Sequence, residues 1–205
     1  MKQALINLRD LVGRPVETFN EMKYKRYYNW AFTAIVVVAW FIVEVLSRQL
    51  YGFRFNLNNP DDLNIFIQLV STLIPFGLFC LSNWCICTLM DGEAKFNEIA
   101  TYCAYALCPY VIIKALSIPL SRVMTLNEQI FLQWFVWIGI LWSVMMLFQG
   151  MRIAHQYSSI KTILTIVLTI LGMAIILFMA LLLVALFQQV YALFASIVQE
   201  LLFRR

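Results

Sequence analysis

The sequence predicts an all-α fold, a polytopic bundle of about five membrane-spanning helices with amphipathic segments at both ends. Three observations lead there. Hydrophobic residues make up 62% of the chain and charged ones only 13%, whereas a water-soluble domain carries roughly a quarter charged residues. That leaves too little polar surface to face water, and the mean hydropathy of +0.80 agrees. The apolar runs are also long and continuous, unlike the alternating segments of about ten residues in a membrane barrel. Finally, short charged stretches separate them. In lipid each run must satisfy its own backbone, so each is a helix.

Residues 1–29 form a charged N-terminal segment. Pro15 suits the first position of a short helix, because its missing N–H has no partner there anyway. Val16 and Phe19 are expected to share one apolar face of a surface-lying segment. Tyr24, Tyr27, Tyr28 and Trp30 supply an aromatic belt, and Lys23, Lys25 and Arg26 face headgroups. Nothing before Ala31 resembles a cleavable signal, so the first span is expected to be retained.

A span needs about 20 apolar residues. The expected spans are Trp30–Leu46, Ile65–Met90, Ile99–Leu120, Ile130–Phe148 and Ile163–Phe187, making residues 30–187 the membrane domain. Residues 188–205 keep a helical pattern. Gln189, Ala192, Ser196, Gln199 and Phe203 form one stripe beside Val190, Phe194, Ile197 and Leu201. This is an amphipathic interfacial helix or an extension of the fifth span.

Orientation follows the lysines and arginines near the span ends. Lys2, Arg9, Arg14, Lys23, Lys25, Arg26, Lys95, Arg152 and Lys161 fall on one side. Arg48, Arg54, Arg122, Arg204 and Arg205 fall on the other, with Lys114 snorkelling towards it. The excess puts the N-terminus in the cytoplasm and, after five spans, the C-terminus outside.

Polar and kink-forming residues inside the spans are the candidate functional positions. Glu44 precedes Arg48 by one turn, and such a pair accounts for it. Pro75 and Pro109 each open a helix turn. Together with Asn83 and Tyr105 they outline a possible cavity between spans two and three. Ala100, Ala104 and Cys108 form a small-residue seam, and Gly139 with Ser143 a second; both suit close helix contact with another membrane protein. Asp91-Gly92-Glu93 forms an acidic turn on the cytoplasmic side. Gly92 is expected to supply a positive φ there, with Asp91 or Asn97 capping the next helix.

Cys80, Cys85, Cys87, Cys103 and Cys108 read as apolar packing residues. The alternative is a metal site built on Cys85 and Cys87 with Cys103 or Cys108. His155, a lone histidine without cysteine or carboxylate company, reads as a surface or hydrogen-bonding residue rather than a catalyst. No phosphate-binding, zinc-hydrolase or nucleophile-elbow motif occurs, so no catalytic residue, cofactor or nucleic-acid partner is expected.

Asn83-Trp84, then Thr88 through Glu93, Phe96 and Ile99, followed by Tyr105-Ala106-Leu107-x-Pro109-Tyr110, resemble bacterial members of the Yip family. Pro15-x-Glu17-x-Phe19, Gly150 with His155 and Tyr157, and Glu200-Leu201 fit the same pattern. The resemblance implies a five-span protein of the bacterial cytoplasmic membrane with a cytoplasmic N-terminus. Eukaryotic relatives are associated with Rab-type GTPases and vesicle traffic; this sequence lacks their long polar N-terminal region, which counts against that role here. Bacterial members resemble accessory proteins of carbohydrate ABC transporters.

The function expected is therefore a non-enzymatic adaptor in contact with membrane lipids and with another integral protein, such as ABC-transporter permease subunits. A small transporter or channel using the kinked cavity is the alternative, and a lipid-binding or bilayer-shaping protein the second.

Overall fold

The structure is a computed structural model that describes residues 10–11, 13–26, 28–52, 55, 63–125 and 128–203. Lys2, Arg9, Tyr27, Arg54, Arg204, Arg205 and the side chain of Leu201 lie outside the described residues. Six helices follow in order: α1 (Pro15–Lys25), α2 (Trp30–Leu50), α3 (Ile65–Leu89), α4 (Phe96–Val123), α5 (Gln129–His155) and α6 (Ser159–Phe203). The last five are long and apolar enough to cross a membrane.

Local chemistry sets most of the ends. Pro15 opens α1, with Glu17 in its first turn and Lys23 and Lys25 in its last, charges that complement the helix dipole. The Asn29 side chain accepts from Ala31 N–H at the start of α2. Asn64 likewise accepts from Phe66 and Ile67 at the start of α3. Arg26 and Gln156 end α1 and α5 in the left-handed conformation, with φ of 52° and 56°.

A capping asparagine thus sets the starts of α2 and α3, whereas α4 and α5 begin without a side-chain cap and extend beyond their expected spans. Asp91 and Asn97, expected as caps for α4, do not serve. The capping position belongs to Lys95, with no side-chain cap, and Glu98 supplies the favourable charge in the first turn.

α4 is the centre of the bundle and packs chiefly on α5 and α2, while α3 pairs with α6 and α1 seats on α5. Small residues make this closeness possible. Ala100, Ala104, Cys108, Gly139 and Ser143 are all buried within the bundle. A Cβ added at Gly139 would lie 3.0 Å from the Ile113 side chain. Pro109 loosens the turn before Tyr110, and Ser143 Oγ on α5 accepts the Tyr110 N–H at 3.0 Å.

Of the two seams expected to face another protein, Gly139 and Ser143 close the molecule's own α4–α5 interface, while Ala100, Ala104 and Cys108 are buried within the bundle, a correction with a simple cause. Small-residue spacing records close packing but not the identity of the packed helix. Replacing Ala104 with leucine should cost about 1–3 kcal/mol by overpacking. Thermal unfolding in detergent would show the loss, whereas a residue used only for an outside partner would leave the melting temperature unchanged.

The N-terminal helix also departs from expectation. Phe19 and Met22 are fully buried and Val16 is exposed, so Val16 and Phe19 do not share a face. Phe19 lies against Tyr102 at 5.3 Å between ring centres, and Tyr102 donates its hydroxyl to Phe19 C=O. α1 is thus docked on the bundle.

α6 is one helix of 45 residues. Its first half seats on α3 through Thr162, Thr165 and Thr169, all buried. From Leu177 to Glu200 every residue is exposed except Ala195, which is half-buried. The helix continues through Gln188 and Gln189 without a break. At 1.5 Å per residue it is about 68 Å long, against a hydrocarbon core of about 30 Å.

Candidate functional site

The acidic turn between α3 and α4 lies on the same end of the bundle as α1 and the α5–α6 turn. Asp91, not Gly92, carries the positive φ, 56°. Aspartate tolerates that conformation through its short polar side chain. Gly92 is needed for a different reason. A Cβ there would lie 2.7 Å from Tyr157 Oη, 2.8 Å from Cys87 Cβ and 2.8 Å from His155 Nδ1. Its N–H donates to Cys87 C=O at 2.7 Å, closing the turn onto α3. The expected positive φ at Gly92 is replaced by a requirement for space.

His155 takes the hydrogen-bonding alternative, not the surface one, and has a cysteine beside it. It is buried at 2% exposure at the end of α5, beneath the turn. Its Nε2 lies 3.0 Å from Asn83 Oδ1 and 3.2 Å from Cys87 Sγ. Asn83 donates its amide to Thr169 Oγ1 at 3.1 Å, and that hydroxyl donates to Thr165 C=O. Ser82 donates to Thr169 C=O at 2.7 Å. With Nε2–H given to Asn83, the network assigns Nδ1 as an acceptor facing Gly92, where it has no hydrogen-bond partner.

Tyr157 stacks beside the imidazole and donates to Met90 C=O at 3.0 Å. Burial, and next the neighbouring Cys87, push its phenol up to about 12, so it stays a neutral donor at ordinary pH. One network thus ties the α3 terminus, the turn, the α5 terminus and α6 together.

A cysteine beside a histidine invites comparison with a nucleophile and its base. Here both are buried, Cys87 at 1% exposure and His155 at 2%. Geometry makes them a structural lock. The alternative cysteine set is not grouped either: Cys87 lies against His155, and all five cysteines are free thiols. Among the described residues no three His, Cys, Asp or Glu side chains are grouped to hold a metal.

Next to the turn, α1 is clamped by Lys23. Its ammonium donates to Ala154 C=O at 2.7 Å, the negative end of α5. It also sits 3.6 Å from Glu98 and 3.8 Å from Glu93. Tyr28 shares Glu98. Burial first, and then that carboxylate, raise the Tyr28 phenol from 10.0 to about 12. The protonated phenol thus contributes stability below pH 10 that is lost as pH rises towards 12. A cavity of about 740 Å³ opens here, walled by Lys23, Arg26, Glu93, Lys95 and Glu98 among others.

A second cavity, of about 430 Å³, lies at the kinks and is lined mainly by apolar groups, among them Pro75, Phe76, Phe79, Leu107 and Tyr110. Asn83 and Tyr105, expected beside these kinks, lie elsewhere: Asn83 in the polar network, Tyr105 stacked on Phe32 with ring centres 4.3 Å apart. Glu44, expected to be answered by Arg48, accepts from Tyr110 Oη at 2.7 Å and from Trp40 Nε1 at 3.3 Å. Lys114 lines a third cavity at the opposite end of the bundle, with Arg48 and Gln133.

One signal for the buried network was present in the sequence. Thr162, Thr165 and Thr169 recur on one face of an otherwise apolar helix, and such a stripe needs polar partners in a membrane. His155 and Tyr157 were picked out only by the resemblance, because the hydrogen-bonding partners of His155, Asn83 and Cys87, lie far away in the chain.

No curated protein and no solved structure matches the chain. The Yip1 domain matches residues 9–182, which takes in α1, the first four spans, the buried network and the docked half of α6. On that match the chain belongs to the Yip1-domain family and is a multi-pass membrane protein with five candidate spans.

Proposed function

We propose that this protein is a non-enzymatic membrane adaptor that packs against another integral membrane protein, with a carbohydrate ABC importer as the partner. The observation that carries the reading is the free half of α6. Beyond Leu177 it leaves the bundle with Phe178, Leu182, Leu186, Leu193 and Ile197 all exposed. No charged side chain occurs from Thr162 to Gln199.

A straight apolar helix of that length overruns the bilayer. Its far part is stabilised by a protein surface as apolar as itself. Asp91 and Glu93 stand exposed at the other end of the molecule, on a turn that the buried network holds rigid. A rigid charged point suits orientation and register more than affinity. The partner class rests on the resemblance to bacterial Yip proteins, and the cytoplasmic placement of the turn on the lysine and arginine bias. Generally, Yip1 proteins are non-catalytic and act in membrane traffic.

A transporter or channel reading receives less support, because the cavity at the kinks is apolar and lacks Asn83. The test is purification from native membranes in mild detergent, comparing the full chain with one ending at Gln188. The permease subunits of one importer should co-purify in fixed ratio with the full chain, and removal of the tail should lower their recovery at least about tenfold. A homogeneous monomer or homo-oligomer from the full chain would overturn the adaptor reading.

A further inference from the structure

The cavity at the end opposite the acidic turn holds a charge that nothing in the bundle answers. Lys114 lies about 14 Å inside the end of α4, at 1.5 Å per residue, and is half-buried. Among the described residues its ammonium makes no ion pair. It faces a cavity of about 320 Å³ whose other polar walls are Ser47, Arg48, Tyr51, Gln129 and Gln133. Among the described residues no carboxylate lines this cavity. The nearest acids along the same elements are already engaged, Glu44 by Tyr110 and Trp40 and Glu128 by Thr125. Set against Arg48, Lys114 and Arg122, those two acids still leave an excess of positive charge. A cation inside a span is costly unless an anion meets it.

Three helices carry this cavity into the apolar one at the kinks. On α4, Tyr110 lines the apolar cavity and Lys114, one turn later, the polar one. On α5 the same step separates Ile140 from Val136. On α2 Trp40 lines the one and Arg48 the other, with Glu44 between them. One turn is about 5.4 Å, so the two cavities are neighbouring parts of one groove, cationic at its mouth and apolar within. The apolar part, of about 430 Å³, also borders the surrounding lipid, because its wall residue Val144 is 57% exposed. Basic pockets between spans suit anionic headgroups, and the apolar continuation suits the chain attached to one.

We propose that this groove holds an anionic phospholipid, with its phosphate at Lys114 and Arg48 and one acyl chain in the apolar cavity beside Phe79 and Leu107. Gln129 and Gln133 donate to the remaining phosphate and glycerol oxygens. An ethanolamine or choline headgroup would bring its own cation against Lys114 and Arg48. The proposal does not depend on the adaptor reading, which uses the far half of α6.

The test is native mass spectrometry of the full-length protein with equimolar dioleoyl phosphatidylglycerol, phosphatidylethanolamine and phosphatidylcholine. One phosphatidylglycerol should be retained with about tenfold preference over phosphatidylethanolamine. Lys114→Gln should bring the two close to parity, and Lys114→Arg should keep the preference. Val144→Trp fills the exposed wall of the apolar cavity without touching a charge, and should weaken retention of phosphatidylglycerol about threefold. Equal retention of the glycerol and ethanolamine lipids by the unmodified protein would overturn the proposal, as would an unchanged preference in Lys114→Gln. Full retention by Val144→Trp, or displacement of the lipid by millimolar inorganic phosphate, would also overturn it, since either marks a charged surface with no chain seated beside it.

Discussion

Replacing Gly92 with alanine is expected to destabilise the protein by about 3 kcal/mol, the upper part of the usual range for forcing extra atoms into a packed site. The added Cβ meets three neighbours at once, at 2.7 Å from Tyr157 Oη, 2.8 Å from Cys87 Cβ and 2.8 Å from His155 Nδ1. None is the free end of a flexible chain. Cys87 Cβ is fixed by its helix, His155 is held by Asn83, and Tyr157 is held by Met90 C=O.

The neighbouring substitution separates this cause from backbone strain. Asp91 already occupies the left-handed region, so Asp91→Gly should change stability by no more than about 1 kcal/mol. Thermal unfolding in detergent distinguishes the two. A Gly92→Ala protein as stable as the unmodified one would show that space at residue 92 does not govern the turn. His155→Ala combined with Gly92→Ala should cost less than the sum of the two single changes, since it removes one of the three contacts.

The second large effect belongs to Asn83, which has no exposed surface. Asn83→Leu removes the acceptor for His155 Nε2 and the donor to Thr169 Oγ1 in one step. His155 Nδ1 already lacks a partner, so the ring would keep only Cys87 Sγ, at 3.2 Å from Nε2. The expected cost is about 2–4 kcal/mol, the sum of a lost hydrogen bond and the desolvation of a stranded polar ring. Individual hydrogen bonds between membrane helices average nearer 0.6 kcal/mol. Thr169→Val, which breaks a single link between helices, should therefore cost about 1 kcal/mol, in keeping with such bonds. Combining Asn83→Leu with His155→Leu should cost clearly less than the sum of the two, by about 1 kcal/mol or more. Strict additivity in that cycle would show that the two side chains do not work as a unit.

The membrane fold was readable because a bilayer imposes a simple rule, long uncharged runs as helices, and the five runs obey it. Element ends were less readable. Asn29 and Asn64 marked two starts through their capping side chains, but α4 begins at Phe96 without such a signal. The seams at Ala104 and Gly139 were seen as packing surfaces, yet spacing alone is blind to which helix fills them. Gly92 was singled out correctly as special and given the wrong reason, because its constraint comes from His155 and Tyr157, more than sixty residues away. Long-range polar contacts of this kind leave only faint local marks, such as the threonine stripe of α6.

Site-specific photo-crosslinking from α6 in native membranes probes the adaptor reading most directly. A photoreactive residue at Leu193 or Ile197, both exposed, should give a discrete adduct with a permease subunit of one ABC importer. The same group at Leu164, an exposed position within the docked half, should give lipid adducts only. Adducts confined to lipid at Leu193 and Ile197 as well would contradict the account.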